Sequence, residues 1–435
     1  MGSQSPQWMH TARVLRRIGF GATGPEIDVV GDPVGYLRAA LAADPNADPG
    51  ARATPLPQFP SPAPPGRTAT ADVRHRYQAE LTAQLTVLTG WWLRRMAAVQ
   101  VPAREKLTLL WHNHFATSAV KVRRAADMAA QNTTLRTLGT GDFGALAYAM
   151  LTDPAMLHWL DGTANTAKAP NENLAREFME LFALGHGNGY TETDVREGAR
   201  ALTGWTTRDT AAVFDPKRHD PGTKTVLGVT GPLGAREFCD IVLGRPESAR
   251  YVAGRLWQQL ASDDPPSAAA LDRITAAYGP GRDLTALITA ILTDPEFVSA
   301  RDTVVHGPVE WAVAAVRALR VPLTDDADVR RLAGALRALG QLPFYPPDVG
   351  GWPRGQGWMS SAAAQLRLTA ATALLKKADL SPIADAAATD RVDAAGHLLG
   401  VGAWSDRSAT VLGAARGNPA RLAVLAINTP EFLTS

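Results

Sequence analysis

The stretch NENLAREFMELFAL (171–184) decides the fold. Placed on a helix at about 100° per residue, Leu174, Phe178, Leu181 and Leu184 share one apolar face, and Phe182 widens it. Glu177 falls at about 300° on that wheel, between Leu184 and Leu181, so a carboxylate is expected inside an apolar face. A buried carboxylate must be paired, metal-bound or protonated. The same 3.6-residue period recurs through 71–99, 102–115, 124–138, 142–151, 192–205, 235–243, 246–261, 267–278, 283–293, 307–319, 328–339 and 359–377. The spacing predicts an all-α protein, with at most a short β-hairpin near 212–229, where AAVFDP and KTVLGV flank a polar loop.

An N-terminal helical arm (1–43) is expected to be joined by a Pro-rich loop (44–70), too rich in proline to sustain a helix, to a main helical domain (71–435) that packs with it as one unit. AYAMLTDPAML (147–157), TAILTDPEFV (289–298) and LAINTPEFL (425–433) each put Thr or Asp before a Pro that suits a first helical turn. Their irregular spacing speaks against a solenoid.

An apolar fraction of 46% and a charged fraction of 20% over 435 residues are those of a globular chain with a large core. A formal net charge of +2 and the absence of a basic run give no reason to expect nucleic acid as a partner. The single cysteine, Cys239, excludes an intrachain disulfide. No apolar run is long enough for a transmembrane segment, and Arg16-Arg17 is followed by no long apolar stretch, so the expected location is cytoplasmic.

A second ionisable residue sits on an apolar face. In the helix carrying WHNHF, His114 lies within the arc of Leu107, Leu110, Trp111 and Phe115, whereas His112 and Asn113 lie off it. His112 and His114 therefore make a poor chelating pair, because i and i+2 do not share a face. His114 and Glu177 are the core of the expected catalytic set, with Glu180 assisting and Arg176 orienting a carboxylate. His114, Glu177 and His219 would be the ligands of a divalent metal, the one cofactor these residue types suggest. The loop 215–224 supplies His219, Asp220 and Lys224 for substrate binding, with Asn171 and Asn173 beside it. Trp352, in the Pro/Gly-rich segment 340–358, would cover a pocket or stack on a glycan. No GxSxG, P-loop or HExxH is present, and Glu177-x-x-Glu180 lacks the histidine of a di-iron pair.

These segments carry a resemblance. LRRIGFGAT (15–23), WHNHFATS (111–118), PNENLAREFMELFALGHGNGYTETDV (170–195), ARALTGWT (199–206), HDPGTKTVLG (219–228), GPVEW (307–311) and GQLPFYPPDVGGW (340–352) resemble, in order, the bacterial family catalogued as domain of unknown function 1800. The resemblance implies a mostly helical protein with no settled reaction. It marks Asn113, His114, Phe115, Asn171, Asn173, Arg176, Glu177, Glu180, His219, Asp220 and Lys224 as motif positions. Many such proteins look exported and have a partner encoded nearby, and many carry His where this chain has Arg13 and Arg218. Two functions follow from the residues. One is an enzyme performing hydrolysis or oxidation at a His/Glu acid-base or metal site. The other is a binding or assembly protein, for a glycan or protein partner, in which the His/Glu/Arg motif is a structural core network.

Overall fold

The structure, a computed structural model, describes residues 4–299 and 304–435. It is mostly helical, and the only sheets among the described residues are two small antiparallel pairs. The helices begin where the sequence supplies caps. Thr70, Asp142, Thr191 and Asp283 each accept a main-chain N–H of the first turn through their side chains. The Pro-led turns materialise as Pro154–Trp159, Pro295–Ser299 and Pro430–Leu433.

Two large hydrophobic cores and a small cluster of Ala12, Leu15, Ala22 and Ile27 are present among the described residues. One large core is built mainly from residues 135–297, including Phe143, Phe178, Phe238 and Trp257. The other joins Leu85–Met96 of the helix Ala71–Ala98 to residues 309–433, including Trp311, Leu336 and Phe344. The helix Ala103–His114 lies between them, with Leu107, Leu110 and Trp111 in the first core and Leu109 in the second. The N-terminal helix Pro6–Ile18 packs on Pro33–Ala42 and on Ala103–His114. No helix among the described residues is long and apolar enough to cross a membrane.

Four local expectations are corrected. The loop 44–70 contains a short helix, Pro49–Ala53, because Asp48 caps it and Pro49 occupies its first turn. Gly50 is needed there, since a Cβ would lie 1.9 Å from the Ala98 carbonyl oxygen. The helix expected to run to 205 ends at Ala201, and Gly204, at φ +94°, turns the chain into β1 (Trp205–Arg208). The segments AAVFDP (211–216) and KTVLGV (224–229) do not pair with each other. β1 pairs with β2 (Ala211–Phe214), and β3 (Lys224–Val226) pairs with β4 (Val229–Gly231). Each pair is closed by a two-residue turn with a positive φ, at Asp209 and at Leu227-Gly228, so the nearer partner wins. Finally, 171–184 is α-helical only over Asn173–Glu177 and continues as a π-helix, Phe178–Ala183.

Candidate functional site

Ala103–His114 is buried on almost every side, so adjacent residues near its end meet different parts of the molecule. His112, which the wheel places off the apolar arc, is buried in the second core, 5.7 Å from the Trp92 ring and 5.4 Å from Trp352. Its Nε2 accepts the N–H of Phe344 at 3.1 Å. Phe344 has φ +72° and its carbonyl accepts the N–H of Ala119 at 2.8 Å, so this strained residue is held from both sides. Asn113 Oδ1 accepts the N–H of Trp352 at 2.7 Å. His114 points into the first core, where Nε2 donates to the Phe182 carbonyl at 2.7 Å and Nδ1 is buried without a partner. Burial lowers both imidazoles to a pKa of about 3, and for His114 the Arg255 charge adds to that effect. Both rings are neutral at ordinary pH.

The bond from His114 explains the end of NENLAREFMELFAL. In a π-turn Leu184 N–H reaches back to the Met179 carbonyl, and the following carbonyls have no helical partner. Four side chains take them. Tyr251 Oη donates to Leu181, His114 Nε2 to Phe182, Ser248 Oγ to Ala183 and Asn188 Nδ2 to Leu184, each at 2.7 Å. The wider turn also changes the helix phase. Met179, expected off the apolar face, is buried, and Leu181, expected on it, is only partly buried.

Glu177, at the junction, is half-buried rather than embedded. It makes no side-chain hydrogen bond to the described residues. Burial, Glu180 and Asp348 push its carboxyl above the ordinary range, against the pull of Arg176. Arg176 is engaged by Glu172 at 2.9 Å, Glu192 at 2.8 Å and Glu180 at 3.4 Å. Asn165 Oδ1 accepts the N–H of Asn171, and Asn171 Oδ1 accepts that of Asn173, so these asparagines shape the helix entrance.

The HDPGTK loop folds onto the end of the helix Glu192–Ala201. His219 Nδ1 lies 2.9 Å from the Thr203 carbonyl, to which it donates. Asp220 pairs with Arg200 at 2.7 Å, which holds its carboxyl below the usual range. Lys224 is buried and donates to the carbonyls of Asp220 and Gly222 at 2.6 and 3.0 Å. Arg13 lies over the Phe297 ring, 4.4 Å from its centroid, and Arg218 donates to the Thr163 carbonyl.

The expected convergence therefore does not occur. No hydrogen bond or ion pair among the described residues joins His114, Glu177 and His219. No three His, Cys, Asp or Glu side chains among the described residues gather closely enough to hold a metal ion. Trp352 offers no open stacking face, because its ring is packed in the core against His112.

The groups left unengaged collect elsewhere. A small solvent-open cleft of about 60 Å³ lies beneath the 340–358 segment, bordered by Asn113, Asp263, Glu310, Gln341, Arg354 and Trp358. Gln341 Oε1 accepts the N–H of Val309 at 2.9 Å and Asn113 Oδ1 that of Trp352, so each amide has its NH₂ left to offer. Arg354 Nη1 is buried without a partner, and burial lowers the pKa of this guanidinium. Asp263 Oδ2 accepts the N–H of Val305 at 3.2 Å, and burial raises its carboxyl. Glu310 pairs with Lys106. Gly355, at φ +56°, lets the chain pass the Asp263 carboxylate, from which a Cβ would be 3.0 Å. A larger groove of about 250 Å³ is mainly apolar, and its cations Arg331 and Lys377 both already pair with Asp328.

In the sequence, Asn113 stands out only as a motif position of the family resemblance, and Asp263, Glu310, Gln341 and Arg354 do not stand out. For Glu310 and Gln341 the available signal was a polar residue close to a glycine in GPVEW and GQLPFYPPDVGGW. No curated protein and no solved structure matches the chain. The segments that build the two-core junction and its cleft lie within one continuous family match over residues 13–434, and the chain belongs to the family described as protein of unknown function (DUF1800).

Proposed function

We propose that this is a binding protein whose His/Glu/Arg motifs form a structural frame, and that its ligand site is the polar cleft under residues 340–358. The observation that carries this reading is how the polar groups are engaged. His114 and His219 each donate to a main-chain carbonyl, whereas the donors of Asn113, Gln341 and Arg354 border an open cleft without acceptors among the described residues. Buried polar groups are normally satisfied, and an unpartnered buried guanidinium nitrogen beside two amides with NH₂ to offer supports a ligand site.

A second reading keeps an enzyme centred on Glu177. It is favoured by the raised carboxyl of Glu177 and its lack of a hydrogen-bond partner. Two measurements separate the readings. A chemically diverse small-molecule screen on the full chain, mapped by hydrogen exchange, should give protection around Asn113, Asp263, Gln341 and Arg354, unchanged in Glu177→Gln. Elemental analysis should give the same metal content for wild type and Glu177→Gln. Protection centred on Glu177, or a stoichiometric metal lost in the variant, would overturn the binding reading.

A further inference from the structure

The cleft's donors and acceptors restrict what can fill it. Arg354 brings a charge whose Nη1 has no partner among the described residues, and Asp263 borders the same space without forming an ion pair with it. A neutral ligand would leave that guanidinium unpaired in a partly desolvated site. A metal cation would meet the charge of Arg354. A multiply charged anion would meet the carboxylates of Asp263 and Glu310, of which only Glu310 has its own cation, Lys106. A single carboxylate matches Arg354, since guanidinium and carboxylate are planar and form paired hydrogen bonds. The NH₂ groups of Asn113 and Gln341 can serve the same oxygens. Asp263, with Oδ2 occupied by Val305 N–H, retains acceptor capacity for a donor on the ligand. Val305, Pro353 and Trp358 leave an apolar wall for a short side chain.

We propose that the cleft binds a small 2-hydroxy or 2-amino carboxylate, its carboxylate on Arg354, Asn113 and Gln341 and its adjacent donor on Asp263. This rests on the cleft being the ligand site and adds the ligand's chemical class.

Isothermal titration of the full chain with glycolate, glycine, acetate and glycolamide tests it. Glycolate or glycine should bind about ten-fold more tightly than acetate, the gain expected for one added charged hydrogen bond, and glycolamide should not bind measurably. Whichever of the two acids binds better identifies the donor. Arg354→Gln should weaken all the carboxylates at least ten-fold. Asp263→Asn should reduce the preference over acetate. Melting temperatures confirm that each variant is folded, and Arg354→Lys, which keeps the charge without the fork, should fall between wild type and Arg354→Gln. Glycolamide binding as well as glycolate, a folded Arg354→Gln with unchanged affinity, or no binding of any acid to wild type overturns the proposal. If an uncharged ligand instead protects the cleft in the hydrogen-exchange screen, the binding reading stands and the carboxylate assignment falls. If nothing protects the cleft, both fall.

Discussion

Glu105 is the residue on which the interior charge balance turns. Its carboxylate is buried and meets Arg95 Nε at 2.6 Å, Arg136 Nε at 2.7 Å and Trp92 Nε1 at 2.9 Å. Burial opposes the charge, yet Arg136 and Arg95 together hold the carboxyl below its ordinary range. A network of arginine around a buried glutamate was the structural expectation for Glu177, and the chain places it at Glu105 instead. Glu105→Gln leaves two buried guanidiniums without a counter-charge. Denaturant unfolding should show a loss of about 3–5 kcal/mol, and a loss below 1 kcal/mol would contradict the buried network. Asp153 behaves in the opposite sense. Its Oδ1 caps Met156 N–H at 2.8 Å and accepts from Gln131 Nε2 at 2.7 Å, but burial pushes its carboxyl up to about 7 from 3.8. The folded state therefore keeps the proton that the unfolded state releases near pH 4. Its stabilising contribution is complete below 3.8 and is lost as pH rises through about 7. Asp153→Asn preserves the accepting oxygen and cannot ionise. Melting temperatures across pH 4–8 should decline less toward the alkaline end for the variant than for wild type. Parallel curves would show that Asp153 is not the titrating group.

At the scale of the element, the π-turn Phe178–Ala183 exchanges helical bonds for tertiary ones. Its last carbonyls depend on Tyr251, His114, Ser248 and Asn188, three of which lie far away in the chain. Such an ending is stable only while the rest of the fold is present, because an unsatisfied buried carbonyl costs on the order of 1–3 kcal/mol. Ser248→Ala removes one cap with little change of volume and should cost about 1 kcal/mol. His114→Phe keeps an aromatic ring among Trp111, Phe115 and Phe143 while removing the donor to Phe182. Hydrogen exchange should speed up over 182–185 in His114→Phe, while a helix in the other core, such as Pro308–Ala318, keeps wild-type protection. Equal loosening everywhere would mean that His114 supports the whole fold rather than this helix end. Periodicity could not show any of this. A wheel at fixed 100° describes Leu174, Ala175 and Phe178 well, and fails at Met179 and Leu181 because the π-turn changes the angle per residue.

For the whole molecule, the decisive feature is that one helix, Ala103–His114, touches two cores and the segment that closes the cleft. Asn113 and Gly351 form its tightest joint. A Cβ on Gly351, at φ +86°, would stand 2.3 Å from Asn113 Oδ1. Gly351→Ala should cost on the order of 1–3 kcal/mol from backbone conformation. Limited proteolysis should then cut within 343–358 before any site in the helices of the first core. Wild-type resistance of that segment would show that the joint is not what holds it. The sequence by itself determined the helical class, most helix boundaries and the family. Those follow from local causes, namely apolar period, caps such as Thr70, Asp142 and Thr191, and Pro at first turns. It also singled out WHNHF and NENLAREFMELFAL as anomalous, since a polar side chain on an apolar face is visible in one dimension. What those anomalies meet was decided only by the tertiary structure. His114 meets a carbonyl 68 residues away and Asn113 an N–H 239 residues away. The cleft is assembled from residues 113, 263, 310, 341 and 354, whose nearness comes from the packing of two cores around a single helix. Local sequence sets the state of each segment, whereas the partner of a buried polar group depends on which distant segments share its burial.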